Sequence, residues 1–326
     1  MSETLKVGVI GVGTMGEHHT RVYKEISGGE LVGIADKDID RAAEIAGEYG
    51  TDVYSTGELI ERANAVSIVT PTAAHYNLAL SCIEAGTDIL IEKPFVETKE
   101  QGEHLINRAK TEDVTLQVGH IERFNPVTDT LRDILPGLDV ISVSSERLGP
   151  EPDRPVQDTA VVDLMIHDID VITSLIDDSV TDIQATGNAD GRHAMAALEF
   201  ENGVVASLAA SRVTQRKIRR LTITAESCYV DVDYLDQSIE IHRQSSPEYI
   251  ADNGDIRYRH ESIVENPAVE NTEPLKKELR SFVDAARNSE EPRVTGEDGI
   301  RSLMITKKIN EKAFGVPDKQ VGVVSK

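Results

Sequence analysis

The sequence predicts an α/β domain with a doubly wound parallel sheet, followed by an α+β domain with a large, mostly antiparallel sheet. Over residues 1–121, short apolar runs of strand length alternate with helical patterns, which is typical of βαβ units. From residue 140 onward, several strand-like runs follow one another directly. Between two of these runs, Asn202-Gly203 is a strong hairpin signal, which favours antiparallel pairing.

Six apolar runs in the first part are predicted as strands, at residues 6–10, 31–35, 52–54, 65–69, 88–91 and 114–118. Helical patterns lie directly behind the first strand and at residues 38–49, 56–63, 73–85 and 98–111. Asp38 is expected to cap one of these helices and Gly50 to end it. Ligands of such sheets collect beyond the carboxyl ends of the strands, where Thr70, Lys93 and His120 are expected to lie.

The second part is expected to begin with a helix at 123–135, a strand at 140–147 and a helix at 159–177. Six further strands are predicted, at residues 180–188, 194–200, 204–211, 219–225, 228–233 and 238–242. Residues 244–272 are polar and are predicted as a long loop with some strand, either a lid or a contact between subunits. Helices at 273–288 and 297–314 close the chain. We expect domains at 1–121 and 122–326, with the last helices able to pack back on the first domain.

A glycine pattern stands between the first strand and its helix. Gly11, Gly13 and Gly16 have the G-x-G-x-x-G spacing, and Asp36 ends the second strand. In a dinucleotide site these glycines allow a tight turn, close approach of the pyrophosphate and close helix packing, while the acid binds the adenosine ribose. The alternative is a glycine-rich turn with no ligand. Asp36 favours NAD because it repels a 2′-phosphate, although Lys37 beside it leaves some use of NADP open.

Composition narrows the function classes. The chain has 57 acidic and 34 basic residues, a formal net charge of −23, which disfavours nucleic-acid and anionic-membrane partners. The acids are dispersed, which suggests adaptation to a high-salt cytoplasm. The sequence has neither a signal-peptide pattern nor a membrane-length apolar run, and its two cysteines are expected to be buried thiols, so we expect a cytoplasmic protein.

Lys93 is the first candidate for chemistry, because it ends a predicted strand beside a proline. A lysine there can donate to a substrate hydroxyl or have its pKa shifted by its surroundings. The alternative is a surface pair of Glu92 and Lys93 at the tip of the strand.

Asp163 and His167 form the second candidate, since residues four apart share one face of a helix. Histidine suits the removal of a hydroxyl proton near neutral pH, and a nearby acid can support it. The spacing also suits two metal ligands, but no further ligand is evident and no metal is expected. The alternative is a surface ion pair, and Asp168 and Asp170 are expected to face solvent.

The third candidate is the segment after the last strand of the first domain. Arg123 and Asn125 could bind phosphate or sugar oxygens there. Alternatively, Asn125 caps a helix that starts at Pro126, and these residues are structural. His75, His104, His18 and His19 are expected to be mainly structural.

These motifs together resemble the Gfo/Idh/MocA family of nicotinamide-dependent sugar oxidoreductases. The resemblance rests on GVGTMGEHH after the first strand, TPTAAH at 70–75, EKP at 92–94 and DLMIHDID at 163–170. It implies hydride transfer between NAD(P) and a ring carbon, with Lys93 and His167 handling the hydroxyl proton and Asp163 supporting them. Either Lys93 or His167 can be the formal base, and we favour His167.

On the same resemblance, the residues expected to contact the cofactor are Gly11, Gly13, Thr14, Met15, Gly16, Asp36, Thr70, Pro71, His75, Glu92 and Lys93. Those expected to contact the substrate are Lys93, His120, Arg123, Asn125, Arg147 and His167. The family also implies a homodimer or homotetramer, formed through the open face of the second sheet.

Within the family, the runs at 118–126, 147–150 and 270–279 are similar to the subgroup that oxidises the C3 hydroxyl of UDP-N-acetylglucosamine with NAD⁺. The substrate implied is therefore a sugar nucleotide. A dehydrogenase of a free sugar or of inositol, and an NAD-dependent glycosidase, remain alternatives. A non-catalytic regulator that binds NAD is less favoured, because such relatives lose the lysine and the Asp/His pair.

Overall fold

The structure is a computed structural model that describes residues 4–152, 156, 158–244, 248–252, 255–259 and 261–315. The chain separates into two compact units. One consists of Met1–Phe124 and Thr272–Met304, and the other of Asn125–Asn271 and Ile305–Lys326.

The first unit contains a parallel sheet of five strands in the order β2-β1-β3-β4-β5. The strands are β1 Leu5–Ile10, β2 Gly29–Ala35, β3 Ala65–Ile68, β4 Asp88–Glu92 and β5 Leu116–Gly119. The helices are α1 Thr14–Glu25, α2 Ile39–Tyr49, α3 Thr56–Arg62, α4 Thr72–Glu84 and α5 Lys99–Glu112. The chain leaves β1 toward β2 and then continues on the other side of β1 at β3. This reversal of strand order creates a crevice at the carboxyl ends of β1 and β3.

The predicted doubly wound sheet is confirmed, but the expected sixth strand is wrong. Residues 52–54 form only a single bridge, in which Ile34 pairs with Val53. Ser55 accepts a hydrogen bond from the Glu58 N–H, and the Glu58 side chain reaches back, so a capping box starts α3 directly after Tyr54. The chain therefore turns into a helix before a ladder can form.

The last helices are α8 Pro274–Asn288 and α9 Gly296–Phe314. Within the first unit, Leu279 and Phe282 of α8 are fully buried in one apolar cluster with Val7 of β1 and Tyr23 of α1. The strands of the sheet are buried on both faces, as expected of a parallel sheet covered by helices.

The second unit is built on a sheet of eight strands in the order β15-β12-β11-β10-β6-β9-β8-β7, in which only β6 and β9 pair in parallel. The strands are β6 Val140–Leu148, β7 Val180–Gly187, β8 His193–Phe200, β9 Val205–Ser211, β10 Ile218–Ala225, β11 Cys228–Asp233, β12 Ser238–Gln244 and β15 Ser262–Glu265. A separate hairpin joins β13 Glu248–Asp252 to β14 Asp255–Arg259. The expected large, mostly antiparallel sheet is confirmed.

One face of this sheet packs against helices α6 Pro126–Ile134 and α7 Ile166–Ile176. Along β8, Ala194, Ala196, Leu198 and Phe200 are buried, whereas the residues between them are exposed. Several exposed side chains of the sheet are large and apolar, among them Met195 at 53% exposure, Val205 at 46% and Tyr229 at 42%. Among the described residues, no helix is both long and apolar enough to cross a membrane.

Candidate active site

The glycine turn (residues 11–16) closes tightly between β1 and α1. Gly11 has a φ of +92°, and its N–H donates to the Ala35 carbonyl at 2.7 Å. A Cβ at Gly11 would lie 2.6 Å from the Val69 carbonyl oxygen, and one at Gly16 would lie 1.8 Å from the Gly11 carbonyl oxygen. Gly11 therefore requires glycine because its φ is left-handed and a Cβ would clash with the backbone. Gly16 requires glycine because of the clash alone.

Gly13 differs from the other two glycines. A Cβ there would meet nothing within 4 Å, and its φ of −64° suits any residue. Gly13 is also the N-cap of α1, where no side chain accepts from the first-turn N–H groups. An open space in front of an uncapped helix N-terminus fits the pyrophosphate of a dinucleotide, which such N–H groups bind.

A cavity of about 690 Å³ opens at this turn, a usual size for a small-molecule site. Its walls come from the carboxyl ends of β1, β2 and β3 and include Gly11, Gly13, Asp36, Lys37, Arg41, Thr70 and Pro71. The structure thus brings five of the predicted cofactor residues to one cavity, whereas Thr14, Met15 and Gly16 are not among its lining residues.

Asp36 is held by two backbone hydrogen bonds at the end of β2. Its Oδ2 accepts the Val12 N–H at 2.6 Å, and its Oδ1 accepts the Asp38 N–H at 2.9 Å. Each carboxylate oxygen has two acceptor sites, so capacity remains for the hydroxyls of a ribose. The two backbone bonds fix the carboxylate at the end of β2, where it lines the cavity.

His75 is 1% exposed and does not line the cavity. Its Nε2 lies 2.7 Å from the Thr70 carbonyl oxygen, and its Nδ1 lies 3.0 Å from that of Pro94 and 3.2 Å from that of Phe95. Burial lowers the pKa of His75, while the hydrogen bonds with the three carbonyl groups act in the opposite direction. His75 thus connects the segment after β3 with the segment after β4, the one that carries Lys93.

Glu92 and Lys93 end β4. Glu92 is 8% exposed, its Oε1 lies 3.1 Å from Nε2 of the buried His19, and its Oε2 accepts the Lys93 N–H at 3.2 Å. Burial raises the pKa of Glu92, but the hydrogen bond and charge of His19, together with Lys93, outweigh it and hold the pKa below its usual range. The alternative of a surface pair is wrong for Glu92. Sequence analysis missed this link between α1 and the Lys93 segment.

Asp163 and His167 occupy an irregular segment of the second unit. Val161–Met165 forms a π-helical turn that runs into α7, so the expected regular helix over 159–177 is interrupted. The prediction that Asp163, in this turn, and His167, in α7, share one face stays a prediction. The Asp163 Oδ2 lies 3.2 Å from Nη1 of Arg212, a residue 49 positions along the chain. Single π-helical turns occur frequently at functional sites.

Arg147 and Asp168 form a buried, two-pronged ion pair. Nε of Arg147 donates to Oδ2 of Asp168 at 2.8 Å, and Nη2 donates to Oδ1 at 2.9 Å. The expectation that Asp168 and Asp170 face solvent is wrong, because they are 3% and 2% exposed. Most of α7 is enclosed, including its acids, and sequence offered no sign that the arginine partner lay on β6.

The segment after β5 is also buried. His120 and Arg123 are 1% and 4% exposed, and Nη2 of Arg123 pairs with Asp298 at 3.0 Å. Asn125 caps α6 by accepting the Val127 N–H at 3.3 Å, which is the structural alternative considered for it. Among the described residues, no three His, Cys, Asp or Glu side chains are grouped to hold a metal ion.

Comparisons with known proteins agree with this architecture. Residues 5–120 match an oxidoreductase family with an NAD-binding Rossmann fold, and residues 141–230 match the GFO/IDH/MocA C-terminal domain. The chain is 36% identical to UDP-N-acetylglucosamine 3-dehydrogenase of Acidithiobacillus ferrooxidans over 247 residues, 74% of this chain and 78% of that one. It is 24% identical to scyllo-inositol 2-dehydrogenase (NAD(+)) of Bacillus subtilis, over 94% of this chain and 93% of that one.

Comparison with solved structures agrees with the sequence comparison. A solved structure of the Acidithiobacillus ferrooxidans UDP-N-acetylglucosamine 3-dehydrogenase superposes with a TM-score of 0.85 at 32% identity, covering 95% of this chain and 97% of that one. Both the glycine turn with its cavity and the large second sheet lie within the regions that these comparisons match. The chain is therefore an oxidoreductase that belongs to the GFO/IDH/MocA family.

Proposed function

We propose that this protein is an NAD-dependent dehydrogenase that oxidises the C3 hydroxyl of UDP-N-acetylglucosamine to the 3-keto sugar nucleotide. The similarity to the Acidithiobacillus ferrooxidans enzyme carries this proposal, at 36% identity over 74% of the chain. Inositol dehydrogenase is the second candidate, because the Bacillus subtilis relative aligns over 94% of the chain, although at only 24% identity.

NAD is the proposed cofactor, with NADP disfavoured. The backbone bonds to Asp36 support this choice, because they hold a carboxylate where it can accept from ribose hydroxyls and repel a 2′-phosphate. Gly13 and the uncapped N-terminus of α1 would hold the pyrophosphate. The hydride acceptor of the reaction is supplied by NAD⁺ when it is bound. We assign cofactor binding to residues 1–121 and substrate binding and oligomerisation to residues 122–326.

For the proton of the substrate hydroxyl we propose a division of roles. His167 removes the proton as general base, Lys93 donates to the reacting oxygen, and Asp163 supports the histidine. Two contacts support this assignment. Glu92 fixes the backbone of Lys93, and Arg212 holds Asp163 in its turn.

The remaining substrate residues are proposed as a positioning layer. Arg147, Arg123 and Asn125 are buried and engaged with Asp168, Asp298 and the start of α6, so they hold the surrounding segments. We also propose a homodimer or homotetramer. The outward-facing Met195, Val205 and Tyr229 of the second sheet support this, since large exposed apolar side chains favour burial between subunits.

NADH absorbance after mixing the enzyme with NAD⁺ and UDP-N-acetylglucosamine tests the proposal, in low and in molar salt. Alcohol oxidation is unfavourable at equilibrium, so a ketone trap or single-turnover conditions are required. We expect NADH with the sugar nucleotide and its loss in Lys93→Met and His167→Asn. Lys99→Met, which removes an exposed lysine, serves as the matched control. NADH formed only with free sugars or inositol would overturn the sugar-nucleotide substrate.

A further inference from the structure

Arg41 lies beside the proposed cofactor site, and its guanidinium is already paired with two carboxylates. We propose that Glu17 and Glu44 bind this guanidinium and withhold it from a 2′-phosphate, which makes them determinants of NAD over NADP in addition to Asp36. The inference rests on the proposed use of NAD and deepens it.

The position of Arg41 follows from the cap of α2. Asp38 is the N-cap and accepts the Arg41 N–H at 3.1 Å, which places Arg41 in the first turn of the helix behind β2. Nε of Arg41 donates to the Val12 carbonyl at 3.3 Å, while the Val12 N–H donates to Asp36 at 2.6 Å. One residue of the glycine turn thus connects Arg41 to the carboxylate proposed to bind the ribose, and both side chains line the same cavity.

An arginine in this region is the usual partner of the extra phosphate of NADP. In this chain all three nitrogens of the guanidinium have partners. Besides Nε on Val12, Nη1 donates to Glu44 at 2.7 Å, and Nη2 donates to Glu17. These bonds use three of the five N–H groups of the guanidinium. A phosphate that bound Arg41 would either displace a carboxylate or use a remaining N–H group, and in both cases it would lie beside the carboxylates. The pairs therefore weaken an attractive contact and add a repulsive one, the two means by which binding sites discriminate.

Glu17 is the more important of the two acids. Glu17 directly follows Gly16 in the sequence, and its side chain is 29% exposed. The Glu44 side chain is 65% exposed and pairs with Arg41 along the same helix. Exposed ion pairs within one helix contribute little free energy, so a phosphate is expected to displace Glu44 from Arg41 more readily than Glu17. If Glu17 served only to join α1 to α2, its loss would weaken folding and the binding of both cofactors alike.

Binding of NADH and NADPH alone, measured by titration calorimetry at fixed ionic strength, tests this inference without a sugar substrate. We expect Asp36→Ser to lose NADH affinity and gain little for NADPH. The double variant Asp36→Ser/Glu17→Gln should bind NADPH at least about tenfold tighter than Asp36→Ser, because a freed arginine makes charge-assisted bonds to phosphate. Asp36→Ser/Glu44→Gln should gain less.

Two controls identify the cause of any gain. Asp36→Ser/Glu25→Gln removes the same charge from the last turn of α1, where Glu25 pairs with Arg21 at 2.8 Å, and should gain nothing. Adding Arg41→Met to the Asp36→Ser/Glu17→Gln variant should abolish the gain. No gain, an equal gain with Glu25→Gln, or a gain that survives Arg41→Met would each overturn the inference. Wild-type protein that binds no NADH would instead overturn the proposed cofactor.

Discussion

The glycine turn of the first unit and the π-helical turn (Val161–Met165) of the second both carry candidate functional residues, but different forces hold them. Backbone contacts close the glycine turn, with the Gly11 N–H on Ala35 and no room for a Cβ at Gly16. Two ion pairs hold the segment around the π-helical turn, the buried pair of Arg147 with Asp168 and the partly buried pair of Arg212 with Asp163. Adding side-chain volume should therefore destabilise the glycine turn, whereas removing a charge should destabilise the region around the π-helical turn.

The largest effect is expected from Arg147→Met, which removes the arginine from the buried ion pair with Asp168. Removing one member of a buried pair costs about 3–5 kcal/mol in the free energy of unfolding. Urea denaturation at fixed salt measures the loss. Arg192→Met is the control, because Arg192 and its partners Asp190 and Glu151 are exposed, and it should change little.

The double variant Arg147→Met/Asp168→Leu should recover much of that loss, since apolar replacement of a whole buried pair is often neutral. If Arg147→Met proved as stable as Arg192→Met, the view that buried charge holds this region would be wrong.

Volume added to the glycine turn comes next. Gly16→Ala places a methyl group 1.8 Å from the Gly11 carbonyl oxygen and should cost about 3 kcal/mol of unfolding free energy. Gly13→Ala meets nothing within 4 Å and should change stability by less than about 1 kcal/mol, yet it should lower NADH affinity. Gly47→Ala, in an open position of α2, should stabilise by about 0.5–1 kcal/mol. Equal destabilisation by Gly13→Ala and Gly16→Ala would contradict the steric explanation.

Arg212→Met should separate the two regions functionally. Without Arg212 the Asp163 carboxylate loses the ion pair that helps to hold it, and we expect kcat to fall about tenfold because a positioned group is displaced. NADH affinity should stay unchanged, since the cofactor residues lie in the first unit. Arg216→Met, an exposed arginine four positions on, is the matched control. A joint loss of kcat and NADH affinity would show that the regions are not independent.

The smallest effect concerns pH, at the buried pair of Glu92 and His19 beside the Lys93 segment. The pKa of Glu92 is lowered in the folded state, so its contribution to stability is present above the unfolded pKa, about 4.3, and is lost as pH falls through the folded pKa. Glu92→Gln should therefore flatten the acid limb of the profile of unfolding free energy against pH. Glu103→Gln, an exposed glutamate, should leave that limb unchanged. An identical acid limb in wild type and Glu92→Gln would contradict the assignment.

The first unit was the more predictable from sequence, apart from its strand count. Spacing of Gly11, Gly13 and Gly16 depends on neighbours in the chain, and the turn formed where expected because its constraints are local. The prediction of a strand at 52–54 was wrong because the capping box at Ser55 starts α3 immediately afterwards. This capping box is itself a local signal, and it competed with the apolar run. His19 was judged structural, and only the fold shows its contact with Glu92.

In the second unit, strand positions and the Asn202-Gly203 hairpin were predictable, because alternation of buried and exposed residues is a local pattern. The electrostatic partners of the acidic side chains were not predictable from the sequence. Asp168 and Asp170 have the same spacing in the sequence whether α7 faces solvent or the sheet, and only the structure shows that both are buried.

The sequence by itself determined the order of elements, the fold class, the glycine turn and the acid that ends β2. Each of these follows from side-chain periodicity or backbone freedom over a few adjacent residues. Only the tertiary structure decided which charges meet: Glu92 with His19, Asp163 with Arg212, Asp168 with Arg147 and Arg41 with Glu17. Those partners lie between 21 and 73 residues apart, and their charges become fixed only when folding removes them from water and brings them into contact.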